Sequence, residues 1–142
     1  MATLYIPDTN ILVHLVRNDR NGLRIKERYA LLKVEPRPLI SIVTAGELRS
    51  LAYKFQWGKT KVDETFFLLN HFQKVSLNNE DILEAYATLD AYSVSIGRSM
   101  GKNDLWIAAT AKVTGATLLT TDRDFDHLAP QFLTRALFDV EE

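Results

Sequence analysis

The fold of this chain is indicated most clearly by residues 103–122, which read NDLWIAATAKVTGATLLTTD. The first part is rich in alanine and apolar on most sides. It predicts a helix that begins at Asn103, ends near Gly115 and is buried against a sheet. The apolar run at residues 117–120 then predicts a short strand, and Asp122 follows it. A buried helix beside a buried strand is typical of an α/β protein.

The rest of the chain continues this alternation of short apolar runs and longer amphipathic segments. The runs predict further strands at residues 4–6, 39–43, 74–77 and 132–138. The segments between them predict helices at residues 22–35, 44–57, about 60–72 and about 79–98. Strands separated by helices in this way predict a parallel sheet covered by helices.

The length and composition fit one ordinary domain. The chain has 142 residues, 46% of them hydrophobic, so we expect residues 1–142 to form a single domain with its own core. It has no cysteine, which excludes disulfides and thiolate zinc sites. The N-terminus lacks the features of a secretory signal, and no apolar run approaches the roughly 20 residues of a membrane span. We therefore expect a cytoplasmic protein.

The charge is distributed unevenly along the chain. Residues 1–61 hold 11 Lys and Arg against 5 Asp and Glu, whereas residues 62–142 hold 6 against 13. This asymmetry leaves two interpretations open. The basic half either grips nucleic acid, with Arg24 and Lys26 as candidate contacts, or simply carries the solvated faces of ordinary helices.

Acidic residues follow the predicted strands. Asp8 comes directly after the first strand, Glu47 lies one turn into the helix after the second, Asp104 lies in the first turn of the alanine-rich helix, and Asp122 ends the strand after it. Ligands of open parallel sheets bind beyond the carboxyl ends of the strands. We therefore expect these four carboxylates to meet at one edge of the sheet.

Four carboxylates in one cleft repel each other, and divalent cations are the obvious compensation. A site of oxygen ligands without cysteine suits Mg²⁺ or Mn²⁺. The chemistry that benefits is phosphodiester hydrolysis, in which one cation activates water and a second stabilises the leaving oxygen. Singly, Asp8, Asp104 and Asp122 are equally well explained as helix caps or solvated turn residues. Glu47 lies in an otherwise small and apolar helix start, so it is harder to explain as an ordinary surface residue.

The sequence resembles the PIN-domain family and, within it, the VapC-type toxins. Four segments carry the resemblance, in the family's order and spacing: YIPDTNIL (5–12), SIVTAGEL (41–48), NDLWIAATA (103–111) and LLTTDRDF (118–125). Together they extend over nearly the whole chain.

The resemblance implies a role for each polar residue of these segments. Asp8, Glu47, Asp104 and Asp122 match the family's catalytic, metal-binding acids. Polar positions beside them, which would orient the carboxylates and waters, are matched by Thr9, Asn10 and Thr121. For Asp124, two roles stay open: contact with the metal, through water, or satisfaction of the turn.

The resemblance also implies a PIN-like three-layer α/β fold, with a four- to five-stranded parallel sheet flanked by helices. The implied activity is endonucleolytic cleavage of RNA with Mg²⁺ or Mn²⁺. The implied partners are an RNA substrate, a small cognate antitoxin that covers the active-site groove, and a second copy of the chain in a homodimer.

A surplus of large apolar residues between positions 48 and 72 offers a candidate antitoxin groove. Its members are Leu48, Leu51, Tyr53, Phe55, Trp57, Phe66, Phe67, Leu69 and Phe72. The alternative is that most of them pack into the chain's own core.

Other enzyme classes fit the sequence less well. A haloacid-dehalogenase-like phosphatase requires an Asp where this chain has Asn10, and a receiver domain requires a Lys after its last core strand, where this chain has Asp122. A nuclease with paired histidines is disfavoured because His14, His71 and His127 are not paired in sequence. The remaining alternative is a non-catalytic PIN scaffold that binds RNA or protein.

Overall fold

A computed structural model describes residues 2–141 of the chain. Its strands are β1 (Tyr5–Pro7), β2 (Leu39–Ser41), β3 (Gln73–Val75), β4 (Thr117–Thr120) and β5 (Arg135–Leu137). Its α-helices are α1 (Thr9–Arg17), α2 (Arg20–Tyr29), α3 (Ile42–Lys54), α4 (Lys59–His71), α5 (Glu80–Ser95) and α6 (Lys102–Thr114). A short 3₁₀ helix covers Arg123–Leu128.

The strands are parallel, as predicted, but they form smaller hydrogen-bonded groups than expected. One group has three strands in the order β1–β4–β5, with Ile6 opposite Leu118 and Leu119 opposite Ala136. The other pairs β2 with β3. Strand β2 lies beside β1. The prediction of one sheet with four or five strands was therefore slightly too high, since the largest sheet within residues 2–141 has three.

Side chains that compete for backbone groups explain most of the shifted boundaries. Ile42 and Val43 were expected in a strand, but Ser41 accepts a hydrogen bond of 3.1 Å from the Val43 amide and starts α3 there. Asp19 caps α2 in the same way, and a left-handed Ala30 with φ of 47° ends it well before residue 35. Helix α6 begins at Lys102, after a Gly101 cap, so the expected start at Asn103 was one residue late.

Two further differences concern elements rather than boundaries. The chain after Asp8 forms α1, a helix missing from the predicted order, because its nine residues leave little room for a long amphipathic pattern. The predicted strand at 132–138 is reduced to the three residues of β5.

Each face of the sheet has its own apolar core. One contains Ile6 and Leu118 together with the inner faces of α5 and α6, and Leu105, Ile107 and Ala108 are almost fully buried there. The other contains Leu119 with side chains from α1, α3 and α4. Because successive residues of β4 point to opposite faces, Leu118 and Leu119 belong to different cores. Helices therefore flank both faces, and the predicted burial of α6 is confirmed.

Within residues 2–141, none of the helices combines the length and the apolar character needed to cross a membrane.

Candidate active site

The carboxyl ends of β1 and β4 lie side by side, which brings distant acids together. The Asp8 amide donates a hydrogen bond of 2.8 Å to the Leu119 carbonyl, so the chain leaves both strands at the same level. Asp8 caps α1, and Asp122 caps the 3₁₀ helix after β4. Glu47 on α3 and Asp104 in the first turn of α6 complete the acidic edge.

Asp8 is the most deeply buried of these acids, with only 3% of its surface exposed. Its Oδ1 accepts a hydrogen bond of 2.7 Å from the Thr9 amide, and its Oδ2 accepts one of 2.9 Å from the Thr120 hydroxyl. Burial raises the pKa of Asp8 to about 6, although both hydrogen bonds stabilise the charged form. A nearby cation would stabilise the ionised form of this buried carboxylate.

Hydroxyl and amide groups hold Glu47 from two sides. Thr9 Oγ1 donates a hydrogen bond of 2.6 Å to Glu47 Oε1, and Asn103 Nδ2 donates one of 3.2 Å to Oε2. The fully buried Thr44 hydroxyl lies 3.2 Å from Thr9 Oγ1. Since the Thr9 proton is used by Glu47, Thr44 can supply the proton of this second bond. The Glu47 carboxylate is thus oriented before any ligand arrives.

Three more carboxylates converge beside this pair. Oxygens of Asp104, Asp122 and Asp124 all lie within 4.8 Å of one another. Burial, followed by repulsion from Asp8, raises the pKa of Asp104 to about 7. The Asp124 amide donates a hydrogen bond of 2.9 Å to Asp122 Oδ1, which holds the turn closed.

The donor set of this edge fits a hard divalent cation. Every candidate ligand is a carboxylate, and burial together with repulsion from the neighbouring acids opposes ionisation of Asp104. Mg²⁺ and Mn²⁺ prefer such oxygen ligands and would relieve that repulsion. Of the four acids that the sequence analysis expected to meet, Asp104 and Asp122 lie within ligand distance of each other and of Asp124, and Asp8 and Glu47 lie close enough to raise the pKa of Asp104.

The acids open onto a cleft of about 580 Å³ between α1, α3 and α6. Besides Asp8, Glu47 and Asp104, it is lined by Thr9, Asn10, Val43, Gly46, Ser50, Leu51, Lys54 and Asn103. The cleft is open to solvent, so an extended polymer can lie along it.

The polar residues expected to assist the acids are placed differently from one another. Thr9 contacts Glu47, and Asn10 lines the cleft with an exposed side chain. Among residues 2–141, however, it is Thr120 and not Thr121 that donates to Asp8. Thr120 also accepts a hydrogen bond of 3.0 Å from the Asp122 amide, so one hydroxyl links two of the acids.

Thr120, Thr44 and Asn103 are contacts that the sequence analysis did not identify. Strand alternation carried no usable signal for Thr120, because Leu118 and Leu119 point to opposite faces and each belongs to an apolar core. No signal marks Asn103 either, which was interpreted only as a helix start.

The histidines lie away from the cleft. His14 contacts the Asp19 carboxylate at 3.0 Å, and His127 Nε2 lies 2.8 Å from the Ser93 hydroxyl. Burial lowers the pKa of His127, which favours the neutral ring. None of the three histidines lines the acidic cleft, which agrees with the expectation that a nuclease with paired histidines is disfavoured.

One candidate RNA contact in the basic half of the chain, Arg24, is engaged in contacts within the protein. Arg24 was a candidate RNA contact, but its guanidinium donates to the Asp139 carbonyl at 3.1 Å and stacks over Phe138 at 4.6 Å. It also lies 3.6 Å from a Glu141 carboxylate oxygen. Arg24 therefore fastens the C-terminal segment to α2.

The large apolar residues between positions 48 and 72 divide into three sets, of which Leu51 and Trp57 form a half-buried one. Leu48, Leu69 and Phe72 are core residues, so the alternative interpretation holds for them. Exposed side chains are found at Tyr53, Phe55, Phe66 and Phe67. An apolar groove of about 430 Å³ lies between α1, α2 and α4, lined by Leu15, Leu31, Leu32, Phe67 and Leu68 among others.

Comparison with known proteins identifies relatives of this chain. The chain matches the PIN domain over residues 5–130. It is 32% identical over 117 residues to Ribonuclease VapC1 of Haemophilus influenzae strain R2866, an alignment that covers 82% of this chain and 85% of that relative.

Solved structures show the same fold. A chain of VapBC2 from Rickettsia felis, bound to a DNA fragment from its promoter, superimposes with a TM-score of 0.80 at 22% identity, covering 96% of this chain and 100% of that chain. A toxin–antitoxin complex from Klebsiella pneumoniae contains a chain with a TM-score of 0.68 at 25% identity, covering 88% of this chain and 92% of that chain.

Proposed function

The chain belongs to the PIN-domain family, and from this membership we propose that it is a metal-dependent endoribonuclease, the toxin of a toxin–antitoxin pair. The observation that carries the proposal is the cluster of Asp104, Asp122 and Asp124, whose carboxylate oxygens lie within 4.8 Å of one another beside Asp8. The relative named Ribonuclease VapC1 supports RNA as the substrate. Residues 1–142 act as one PIN domain.

Each acid has a distinct part in this proposal. Asp8, Glu47, Asp104 and Asp122 are the catalytic ligands of the cation, with Asp124 at the outer side of the cluster. Bound there, Mg²⁺ or Mn²⁺ would lower the pKa of an attacking water and neutralise charge on the phosphate. The chain's own contribution is to hold the ligands ready, since Thr9 and Asn103 fix both oxygens of Glu47.

Protonation of the site opposes this activity at low pH. The raised pKa values of Asp8 and Asp104, about 6 and about 7, mean that these carboxyls hold protons when the cleft has no cation. A cation must displace those protons to bind. Activity should therefore rise with pH up to about 7.

A protein inhibitor fits the apolar groove between α1, α2 and α4. Phe67 on α4 lines this groove and is 65% exposed. The groove has a volume of about 430 Å³ and could receive an apolar segment of a partner, and the related toxin–antitoxin complex supports an antitoxin as its occupant. A homodimer completes the proposed assembly.

The direct test is cleavage of an end-labelled RNA pool by the purified chain. We expect fragments with Mg²⁺ or Mn²⁺, none in excess chelator, and none from Asp104→Asn. Asp63→Asn is the matched control, since Asp63 is an exposed acid on α4 that does not line the cleft. Its loss should leave cleavage unchanged.

Two results would contradict the proposal. Cleavage in chelator would exclude the metal mechanism. Tight RNA binding without cleavage under any metal condition would favour the alternative, a non-catalytic PIN scaffold.

A further inference from the structure

One face of α3 forms a wall of the acidic cleft and carries more than its catalytic acid. Glu47, Ser50, Leu51 and Lys54 all line the cleft. Their spacing of three, four and seven residues places them on the same side of a helix. Along α3 the wall therefore presents first the Glu47 carboxylate, then the Ser50 hydroxyl and then the Lys54 ammonium group.

Lys54 is the one basic side chain that lines this cleft within the described part of the chain. It is exposed, and among residues 2–141 no carboxylate lies within ion-pairing distance of its ammonium group. By contrast, Lys59 is paired with Asp63 at 2.8 Å and Lys61 lies over the Trp57 ring. Lys54 is thus free to bind an anion from solution.

The negative charge of the cleft favours a basic side chain on its wall when a polyanion binds. A polyanion entering the cleft faces Asp8, Glu47 and Asp104, and a cation at the acids compensates charge only where it sits. Phosphates on either side of the cleaved bond stay near uncompensated negative charge. A cation on the wall, away from the acids, lowers the cost of bringing in the next phosphate.

Resting on the proposed function, we propose that Lys54, assisted by the Ser50 hydroxyl, forms a binding site for an RNA backbone phosphate next to the one that is cleaved. Lys54 lies seven residues from Glu47, which corresponds to about 10 Å along the helix axis. One phosphate group is too small to contact both residues. The ammonium group and the hydroxyl are donors suited to phosphate oxygens.

Lys54 acts here as a positioning residue, because it binds the chain of the substrate and does not touch the reacting atoms. Its contact is the same before and during the reaction. The loss of such a contact raises KM and leaves kcat almost unchanged.

The test is binding of a fluorescently labelled, short single-stranded RNA to the full chain, followed by anisotropy, with every protein carrying Asp104→Asn to prevent cleavage. Lys54→Gln should weaken binding about five- to tenfold, as expected for one charge-assisted contact. It should also reduce the slope of log affinity against log salt by about 0.7, the value for one phosphate of a single strand. Lys54→Arg should restore most of the affinity, and Ser50→Ala should cause a smaller loss.

A second variant separates phosphate binding from an effect on the helix. Lys112 has the same place in α6 as Lys54 has in α3, the last turn, but it does not line the cleft. If Lys54 only stabilises its helix end, Lys112→Gln should have the same effect as Lys54→Gln.

Neutral linkages in the RNA locate the contact. When methylphosphonates replace the phosphates one at a time, one position next to the cleavage site should weaken binding to the Lys54 protein and have no further effect on Lys54→Gln. Equal sensitivity of both proteins at every position would overturn the proposal, as would equal affinity of Lys54→Gln and Lys112→Gln.

The readouts distinguish this proposal from the proposed function. If the wild-type chain binds RNA through Lys54 but cleaves none with any metal, the nuclease assignment fails and the phosphate site stands. If the wild-type chain cleaves RNA and Lys54→Gln keeps its KM and salt dependence, the phosphate site alone fails.

Discussion

The hydroxyl of Thr120 donates a hydrogen bond of 2.9 Å to Asp8 Oδ2, joining residues that are 112 positions apart. The same hydroxyl accepts a hydrogen bond from the Asp122 amide. The buried Thr120 hydroxyl at the end of β4 thus fixes Asp8, which follows β1, and the turn that carries Asp122. The arrangement of the site depends on the pairing of these strands as much as on the acids themselves.

Thr120→Val should shift the activity of the enzyme to higher pH. The Thr120 hydrogen bond lowers the pKa of Asp8, so its loss should move that pKa above its present value of about 6. Turnover should fall most near pH 6 and recover as the pH rises, as measured by initial rates across a pH series. Thr121→Val is the control with the same chemical change, and an identical profile for both variants would contradict the role of Thr120.

Asp104→Asn should remove activity while stabilising the metal-free protein. The pKa of Asp104 is about 7 because burial and four neighbouring acids disfavour its charge. At pH 8 the neutral amide should increase the free energy of unfolding by on the order of 1 kcal/mol, measured by urea denaturation. Asp63→Asn serves again as control. A less stable Asp104→Asn protein would show that the burial and repulsion of the Asp104 charge do not dominate its effect on stability.

Without metal, the chain should lose stability as the pH rises from about 4 to about 7. Asp8 and Asp104 have raised pKa values, about 6 and about 7, whereas an ordinary aspartate has 3.8. The folded state therefore binds more protons in this window, and its advantage disappears as they leave. Urea denaturation between pH 4 and 8 measures the effect.

The variant Asp8→Asn with Asp104→Asn provides the comparison for this pH dependence. Other titrating groups contribute equally to both proteins, so the difference between the two curves isolates the two acids. If stability changes with pH in the same way in both proteins, ionisation of Asp8 and Asp104 does not destabilise the folded state. Addition of Mg²⁺ should stabilise the wild-type chain more at pH 8 than at pH 5, because protons compete with the cation.

Phe67→Asp should release the toxin from its inhibitor without affecting RNA cleavage. Phe67 lies in the groove between α1, α2 and α4, and a buried charge there would oppose docking of an apolar segment. Phe55→Asp is the matched control, with an exposed fraction of 62% against 65% for Phe67, and it does not line that groove. Co-purification with the product of the neighbouring reading frame measures the effect. Retention of the partner by Phe67→Asp would exclude this groove.

Arg24→Ala should weaken the fold and leave RNA affinity unchanged. The Arg24 side chain holds the C-terminal segment through the Asp139 carbonyl and the Phe138 ring, contacts worth about 1–2 kcal/mol together. Thermal denaturation and RNA anisotropy measure the two effects. Lys26→Ala, a change to an exposed residue of α2 two positions from Arg24, should leave stability unchanged. A loss of RNA affinity in Arg24→Ala would restore the interpretation of Arg24 as an RNA contact.

The sequence by itself determined the order of the five strands and of helices α2 to α6, though not the presence of α1, and with it the edge at which the acids gather. The run at residues 117–120 gave β4 with its observed bounds, and the alanine-rich segment gave a buried α6, because apolar periodicity is a local property. Asp8, Glu47, Asp104 and Asp122 could be chosen for the same reason: each follows a predicted strand or begins a predicted helix.

Only the tertiary structure decided which neighbours these acids have. Thr120 and Thr121 are the same residue type, so the sequence does not distinguish them. The pairing of β1 with β4 places the Thr120 hydroxyl beside Asp8. Arg24 and Lys54 are both basic residues of the same half of the chain, yet one is tied to the C-terminal segment and the other lines the cleft. Hydrogen bonds and ion pairs act over a few ångströms between residues far apart in sequence, so they are fixed by packing and leave no periodic trace in the chain.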